Sequence, residues 1–201
     1  MTNPVNRLKY IILPVIMIFM VSCSQNYTPL PQGFFRIDLP EHTYQLSDTT
    51  FPYYFEYADY AELQGSPQNP DQKYWINIVY PQFKAKVYLS YKSVDGNLIT
   101  YLEDAYTLVS KHIPKADAIN DSVIVNKKQN VYGLTYKIIG NGAASPYQFF
   151  VTDSTSHFLR GALYFDIVPN NDSLEPVIDF ITYDIEHLIN TLEWNNESVE
   201  N

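Results

Sequence analysis

Apolar and polar positions alternate through much of the chain. Phe51, Tyr53, Phe55 and Tyr57 fall on one face of an extended segment. Tyr74, Ile76, Ile78 and Tyr80 give a second alternation, which stops at Pro81, and Val87, Leu89 and Tyr91 give a third. Residues 64–72, with Gly65, Pro67 and Pro70, read as the loop between the first two. After Asp95-Gly96 the period lengthens. Leu98, Leu102, Ala105, Val109 and Ile113 predict a helix that Asn97 can cap and that runs to about residue 113, before Pro114. Four more strands are expected at about 122–126, 131–139, 145–153 and 157–168. Asn141-Gly142 and Asp153-Ser154-Thr155 read as turns between them. A last helix carries Val177, Ile181, Ile185, Leu188 and Leu192 on one stripe. Asp172 with Glu175 reads as its capping box, and Pro176 fits its first turn.

Strands joined by tight turns must pair antiparallel, and two amphipathic helices must bury their stripes on a sheet. The expected fold class is therefore α+β: a mainly antiparallel sheet covered by two amphipathic helices. The order of elements resembles the PsbP/Mog1-like layered sandwich, a likeness of topology that carries no function. Composition agrees with a sheet: 18 Tyr and 11 Phe among 201 residues, against 7 Gly, favour strands over a helical bundle.

The first residues follow a different pattern. Arg7 and Lys9 precede a short apolar run over residues 10–21, interrupted by Pro14, and then Ser22 and Cys23. This reads as a signal peptide, because the run is too short to span a bilayer comfortably. Met20-Val21-Ser22-Cys23 resembles the lipobox of bacterial lipoproteins. Such a match implies cleavage between Ser22 and Cys23 and acylation of Cys23, with palmitate among its acyl chains. The expected organisation is a signal peptide over 1–22, a lipid-anchored tether over 23–33 with Pro29 and Pro31, one α+β domain over 34–194, and a polar tail over 195–201. Several acyl chains anchor a protein effectively permanently. By resemblance to lipoprotein sorting, the uncharged Ser24 favours the inner leaflet of the outer membrane over the inner membrane. The absence of an acidic run after Cys23 favours a periplasm-facing domain.

Charge and residue types then exclude several chemistries. The chain has 13 Lys and Arg against 22 Asp and Glu, a net charge of -9, and loss of Arg7 and Lys9 with the signal peptide brings it to -11. That balance argues against nucleic acid, which needs clustered cations. The only cysteine is the one the lipobox would acylate, so no disulfide or Cys-based metal site is expected. His42, His112, His157 and His187 are not at ligand spacing; a solvated face accounts for His187, and a helix C-terminus suits a cationic His112. Ser145 lacks the surroundings of a nucleophile elbow, and Gly140-Asn141-Gly142 lacks the lysine of a phosphate loop. No catalytic residue, metal ligand or cofactor is expected.

Aromatic residues remain for contacts. Tyr53, Tyr54 and Tyr57 lie in one strand region with both faces aromatic, and Arg160 alternates with Phe158 and Ala162 in another strand. Tyr and Arg are favoured at interfaces, so these four mark a possible interaction surface, with Arg160 either snorkelling or anchoring a partner carboxylate. Asp48-Thr49-Thr50, Asp121-Ser122-Val123, Asp153-Ser154-Thr155 and Asp172-Ser173-Leu174 resemble an O-glycosylation pattern, and they equally suit turns and caps.

Longer strings are more specific. Residues 34–40 (FFRIDLP), 51–53 (FPY), 74–78 (YWINI), 112–119 (HIPKADAI), 142–149 (GAASPYQF) and 157–165 (HFLRGALYF) resemble the gliding-motility lipoprotein GldD family of Bacteroidota. The resemblance runs from Tyr27 to Trp194. It implies an envelope lipoprotein that is an accessory or assembly factor of the gliding and type IX secretion machinery. Its partners would be other envelope proteins of that machinery, with the membrane reached through the lipid anchor. The family supplies no catalytic residues, so only Cys23 carries over. The alternative is a periplasm-facing enzyme or small-ligand carrier acting on envelope glycan or lipid.

Overall fold

A computed structural model of the chain describes residues 38–195. The signal peptide, the Ser22–Cys23 site, the tether and residues 196–201 lie outside the described residues.

The described strands are β1 (Tyr44–Leu46), β2 (Tyr53–Tyr54), β3 (Glu56–Ala58), β4 (Glu62–Gly65), β5 (Ile76–Tyr80), β6 (Ala85–Ser93), β7 (Ala118–Asn126), β8 (Val131–Ile139), β9 (Tyr147–Thr152), β10 (His157–Phe165) and β11 (Glu193–Trp194). Helix α1 (Leu98–Ser110) lies between β6 and β7, and helix α2 (Asn171–Thr191) follows β10. Seven strands form one antiparallel sheet in the order β4-β5-β6-β10-β9-β8-β7. The long connection through α1 carries the chain from β6 to the far edge. The meander β7-β8-β9-β10 then returns it to the middle, where β10 pairs with β6 from His157↔Ser93 to Phe165↔Ala85. The two-stranded ribbons β1-β3 and β2-β11 stand apart from this sheet.

Period-two alternation assigns side chains to the two faces of the sheet. Ile76, Ile78, Val87, Leu89, Phe149, Val151, Leu159 and Leu163 face α2 and meet its Val177, Ile181, Ile185 and Leu188 in the main core. Tyr136, Ile138, Phe150 and Phe158 project from the opposite face and meet Ala105 and Val109 of α1. One helix thus covers each face, and the α+β layered sandwich expected from the pattern is the fold.

Several local expectations are corrected. The first helix stops at Ser110, and Ile113 begins a separate 3-10 turn with Pro114 inside it. Asn97 takes the N-cap position as expected, but its side chain makes no capping hydrogen bond. Its side chain instead accepts from the Asp95 amide at 3.0 Å and donates to Tyr101 at 2.9 Å. Asp172 and Glu175 form no capping box, because α2 begins at Asn171, which also leaves Pro176 one turn inside the helix. The start is set from a distance: the buried Asn171 side chain donates to the carbonyls of Gly140 and Ala143 at 2.8 and 2.9 Å. The single strand expected over 51–57 is two short strands, since Tyr53–Tyr54 pair with β11 while Glu56–Ala58 pair with β1. The strand expected at 122–126 starts four residues earlier, at Ala118.

Candidate functional site

The four residues expected to form one interaction surface do not come together. Tyr53 is buried at 1% exposure under Phe51 and Tyr91, with its hydroxyl donating to the Tyr74 carbonyl at 2.7 Å. That is a core role, and it removes Tyr53 from any contact surface. Tyr54 keeps a half-exposed ring, and its hydroxyl donates to Glu193 at 2.6 Å, tying β2 to β11. Tyr57 is half-buried against Phe55. Arg160 belongs to the other face of the sheet. It is half-buried and donates to Gln148 Oε1 at 2.5 Å, with no carboxylate partner among the described residues. Burial depresses its guanidinium, although Tyr164 beside it works the other way.

The histidines are structural, in ways their sequence neighbours do not reveal. His187 is not merely solvated: it bonds Glu56 at 2.7 Å and stacks on Tyr44 at 3.6 Å. His112 does follow α1, but burial and then the charge of Arg160 push its ring below the usual imidazole range, so it is no helix-end cation at neutral pH. His157 is fully buried, shares a 2.8 Å hydrogen bond with the Tyr91 hydroxyl and stacks on Trp194. His42 meets Asp184 at 2.7 Å.

Asp184 is the least exposed carboxylate of α2, at 2%, and it gathers an aromatic cluster. Tyr60 donates to it at 2.8 Å and Tyr44 at 3.2 Å. Burial, reinforced by the Asp184 charge, pushes the hydroxyls of Tyr44, Tyr60 and Tyr80 well above the usual phenol range. His42 also stacks on Phe180 at 4.3 Å. The cluster fastens residues 42–60 to α2, and every polar member points at another member. Asp153 works similarly on a smaller scale. Burial alone would raise its carboxyl, but the amides of His157, Ser156 and Thr155 and the Thr155 hydroxyl outweigh it and hold the group below the usual range.

The exposed apolar surface lies elsewhere. Val123 is 72% exposed and Val125 59%, both on the edge strand β7. Tyr106 is 65% exposed on α1, and Ile113 61% on the turn after it. A groove of about 410 Å³ lies between Tyr106 and Ile113 and the first half of β7, over Ile119 and Tyr136, with Asp117 and Asp121 on its rim. A second groove, of about 630 Å³, is lined by Val123 and Val125 of β7 and by Thr182, Tyr183 and Ile189 of α2. A third depression, of about 760 Å³, is lined by Tyr74, Trp75, Tyr91 and Tyr101, where Lys73 lies 5.1 Å from the Tyr74 ring centre and Lys92 4.5 Å from that of Tyr101. The sequence offered one signal for the first groove: Tyr106 is an apolar position of the helix that falls outside the stripe facing the sheet. Among the described residues no helix is long and apolar enough to cross a membrane, and no group of His, Cys, Asp and Glu could hold a metal ion.

The chain is similar to the solution structure of cyanobacterial PsbP (CyanoP) from Synechocystis sp. PCC 6803, at 12% identity and a TM-score of 0.46, covering 80% of this chain and 98% of that one. No curated protein matches it. The model of the family described as gliding motility lipoprotein GldD matches residues 24–194, from the residue after Cys23 to the last strand. By that match across the whole domain, the chain belongs to the gliding motility lipoprotein GldD family.

Proposed function

We propose that this chain is an accessory or assembly factor of the gliding and type IX secretion machinery, acting through protein contacts and catalysing nothing. The observation that carries the reading is the family match over residues 24–194. Further support comes from how the polar residues are used. The titratable groups at the Asp184 and Asp153 centres hold segments of the fold together, while the apolar groups left in solvent flank grooves. In this reading Cys23 is acylated after cleavage at Ser22, and residues 24–33 tether a periplasm-facing domain to the inner leaflet of the outer membrane. The other envelope proteins of the machinery are its partners. Tyr54, Tyr57 and Arg160 stay available for contacts as half-exposed side chains on two separate surfaces.

Labelling cells with an alkynyl fatty acid tests the anchor. The wild-type chain takes the label and sediments with the outer membrane, whereas Cys23→Ser takes none and its precursor stays unprocessed. Label retained by Cys23→Ser refutes the anchor. A Cys23→Ser strain that glides and secretes normally at full protein level refutes the anchored machinery role.

A further inference from the structure

The sheet has two edges, and they are built differently. β4 closes one edge with four residues, of which Glu62 accepts from Gln64 at 3.2 Å and Gly65 is the last. Short strands and charged side chains are the ordinary protection of a sheet edge, because an unpaired row of N–H and C=O groups recruits other strands. β7 closes the opposite edge with nine residues, which span about 30 Å. Its sequence AINDSVIVN contains no Lys, Arg or Pro, and Asp121 is its only charge. It pairs with β8 without a bulge from Ala118↔Ile139 to Asn126↔Val131, and among the described residues nothing pairs with its other side.

A strand laid against β7 would place alternate side chains on the two faces of the sheet, and a groove waits on each face. On the α1 face the groove floor is Ile119 and Tyr136, walled by Tyr106 and Ile113. On the α2 face the groove is walled by Thr182, Tyr183 and Ile189, and the Thr182 hydroxyl is buried without a hydrogen-bond partner. A free backbone edge with a pocket on each side is what strand addition uses: main-chain bonds give affinity, and alternating pockets give specificity.

We propose that β7 is a docking edge for an extended segment of another envelope protein, which adds as an eighth strand and carries Lys or Arg among apolar residues. Charge selects this occupant. Asp117 and Asp121 rim one groove; the other is lined by Lys137, Asp179 and Glu186, and since Lys137 pairs with Asp179, Glu186 leaves an acidic surplus there too, in a chain of net charge -9. A second copy of the same chain is the poorer fit. Antiparallel β7–β7 pairing centred on Ser122 would set the two Asp121 side chains on one face as diagonal neighbours and bring two acidic domains together. The inference rests on the machinery reading and names the surface through which it operates.

The test is photocrosslinking of the full-length lipoprotein in gliding cells, with benzoylphenylalanine at Val125, at Gln64 on the other edge, or at Tyr54. The expected result is a crosslink from Val125 to an extended, Lys- or Arg-containing peptide of another envelope protein, identified by mass spectrometry, and none from Gln64. Val123→Lys and Asp121→Lys should each reduce it about tenfold while the melting temperature holds. The proposal is overturned by a crosslink from Val125 to a second copy of this chain, or by one that survives both lysines. Crosslinks from Tyr54 with none from Val125 overturn the edge and leave the machinery reading standing; no partner from any position overturns both.

Discussion

Two aspartates five residues apart in α2 separate what buried and exposed carboxylates contribute. Asp179 meets Lys137 at 2.9 Å, with the two side chains 54% and 45% exposed, whereas Asp184 is buried and accepts from His42, Tyr60 and Tyr44. Exposed ion pairs contribute about 0–1 kcal/mol, so Asp179→Ala should cost less than about 1 kcal/mol. Hydrogen bonds to a charged group contribute about 1.5–3 kcal/mol each, and a donor left buried without its acceptor adds a desolvation cost. Three donors meet Asp184, but their sites are partly open and water can replace some of what is lost. Asp184→Ala should therefore cost about 3–5 kcal/mol, a large part of the roughly 5–15 kcal/mol that holds a domain folded. For a chain of this size that lowers Tm on the order of 10 °C. Asp184→Asn keeps one acceptor oxygen and should fall between the two. The assay is urea unfolding of a soluble form starting at Tyr27, followed by Trp fluorescence. Limited proteolysis in parallel should cut Asp184→Ala first within residues 38–47, because His42 and Tyr44 fasten that arm to α2. Equal midpoints for Asp179→Ala and Asp184→Ala would refute the reasoning.

Three further perturbations probe the core, the strand spacing and the buried phenols. Ile181 is fully buried facing the sheet, so Ile181→Val should cost about 1 kcal/mol and Ile181→Asp should unfold the domain, as read by circular dichroism. Near-native melting of Ile181→Asp would contradict that packing. A Cβ on Gly133 would lie 1.9 Å from the Phe150 carbonyl oxygen, so Gly133→Ala must displace backbone between β8 and β9 and should cost at least about 2 kcal/mol in urea unfolding. An unchanged midpoint would show that the two strands can part cheaply. Tyr91 and Tyr147 are pushed up to about 12, burial being the leading cause, and Tyr53, Tyr60 and Tyr80 are pushed well above the usual range. The folded state keeps these protons while the unfolded chain loses them above about pH 10, so stability is untouched below that pH and falls as pH rises beyond it. Each such proton adds about 1.4 kcal/mol per pH unit to the slope. Melting measured from pH 9 to 11.5, with tyrosinate absorbance read on the same samples, should show ionisation following unfolding; smooth ionisation of the folded domain would contradict these shifts.

What the sequence made legible was what burial alone dictates. The stripe from Val177 to Leu192 and the alternations of β5 and β6 sit where they were expected, because each needs only its own period and an apolar layer to face. Features that depend on a distant partner were not legible. Asn171 displaced the expected capping box because two carbonyls about thirty residues upstream hold it. Asp184 joins His42 across 142 positions of sequence, and no local pattern encodes that meeting. The aromatic run at 53–57 misled for the opposite reason. Its alternation buries Tyr53 and Phe55, but the same signal marks a core face and a contact face, and for Tyr53 the core won. The edge strand combines both difficulties. Its first four residues, Ala118 to Asp121, carry little alternation, so only pairing with β8 reveals that they extend the strand. That β7 is an edge at all follows from the order β6-β10-β9-β8-β7, which no segment specifies alone. Tyr106 stands in the sequence as an apolar helix position surplus to the sheet-facing side, whereas Ile113 reads as part of that side and leaves it because the helix stops at Ser110. Only the topology shows that Tyr106 and Ile113 stand beside an open strand, where surplus apolar surface becomes the wall of a groove.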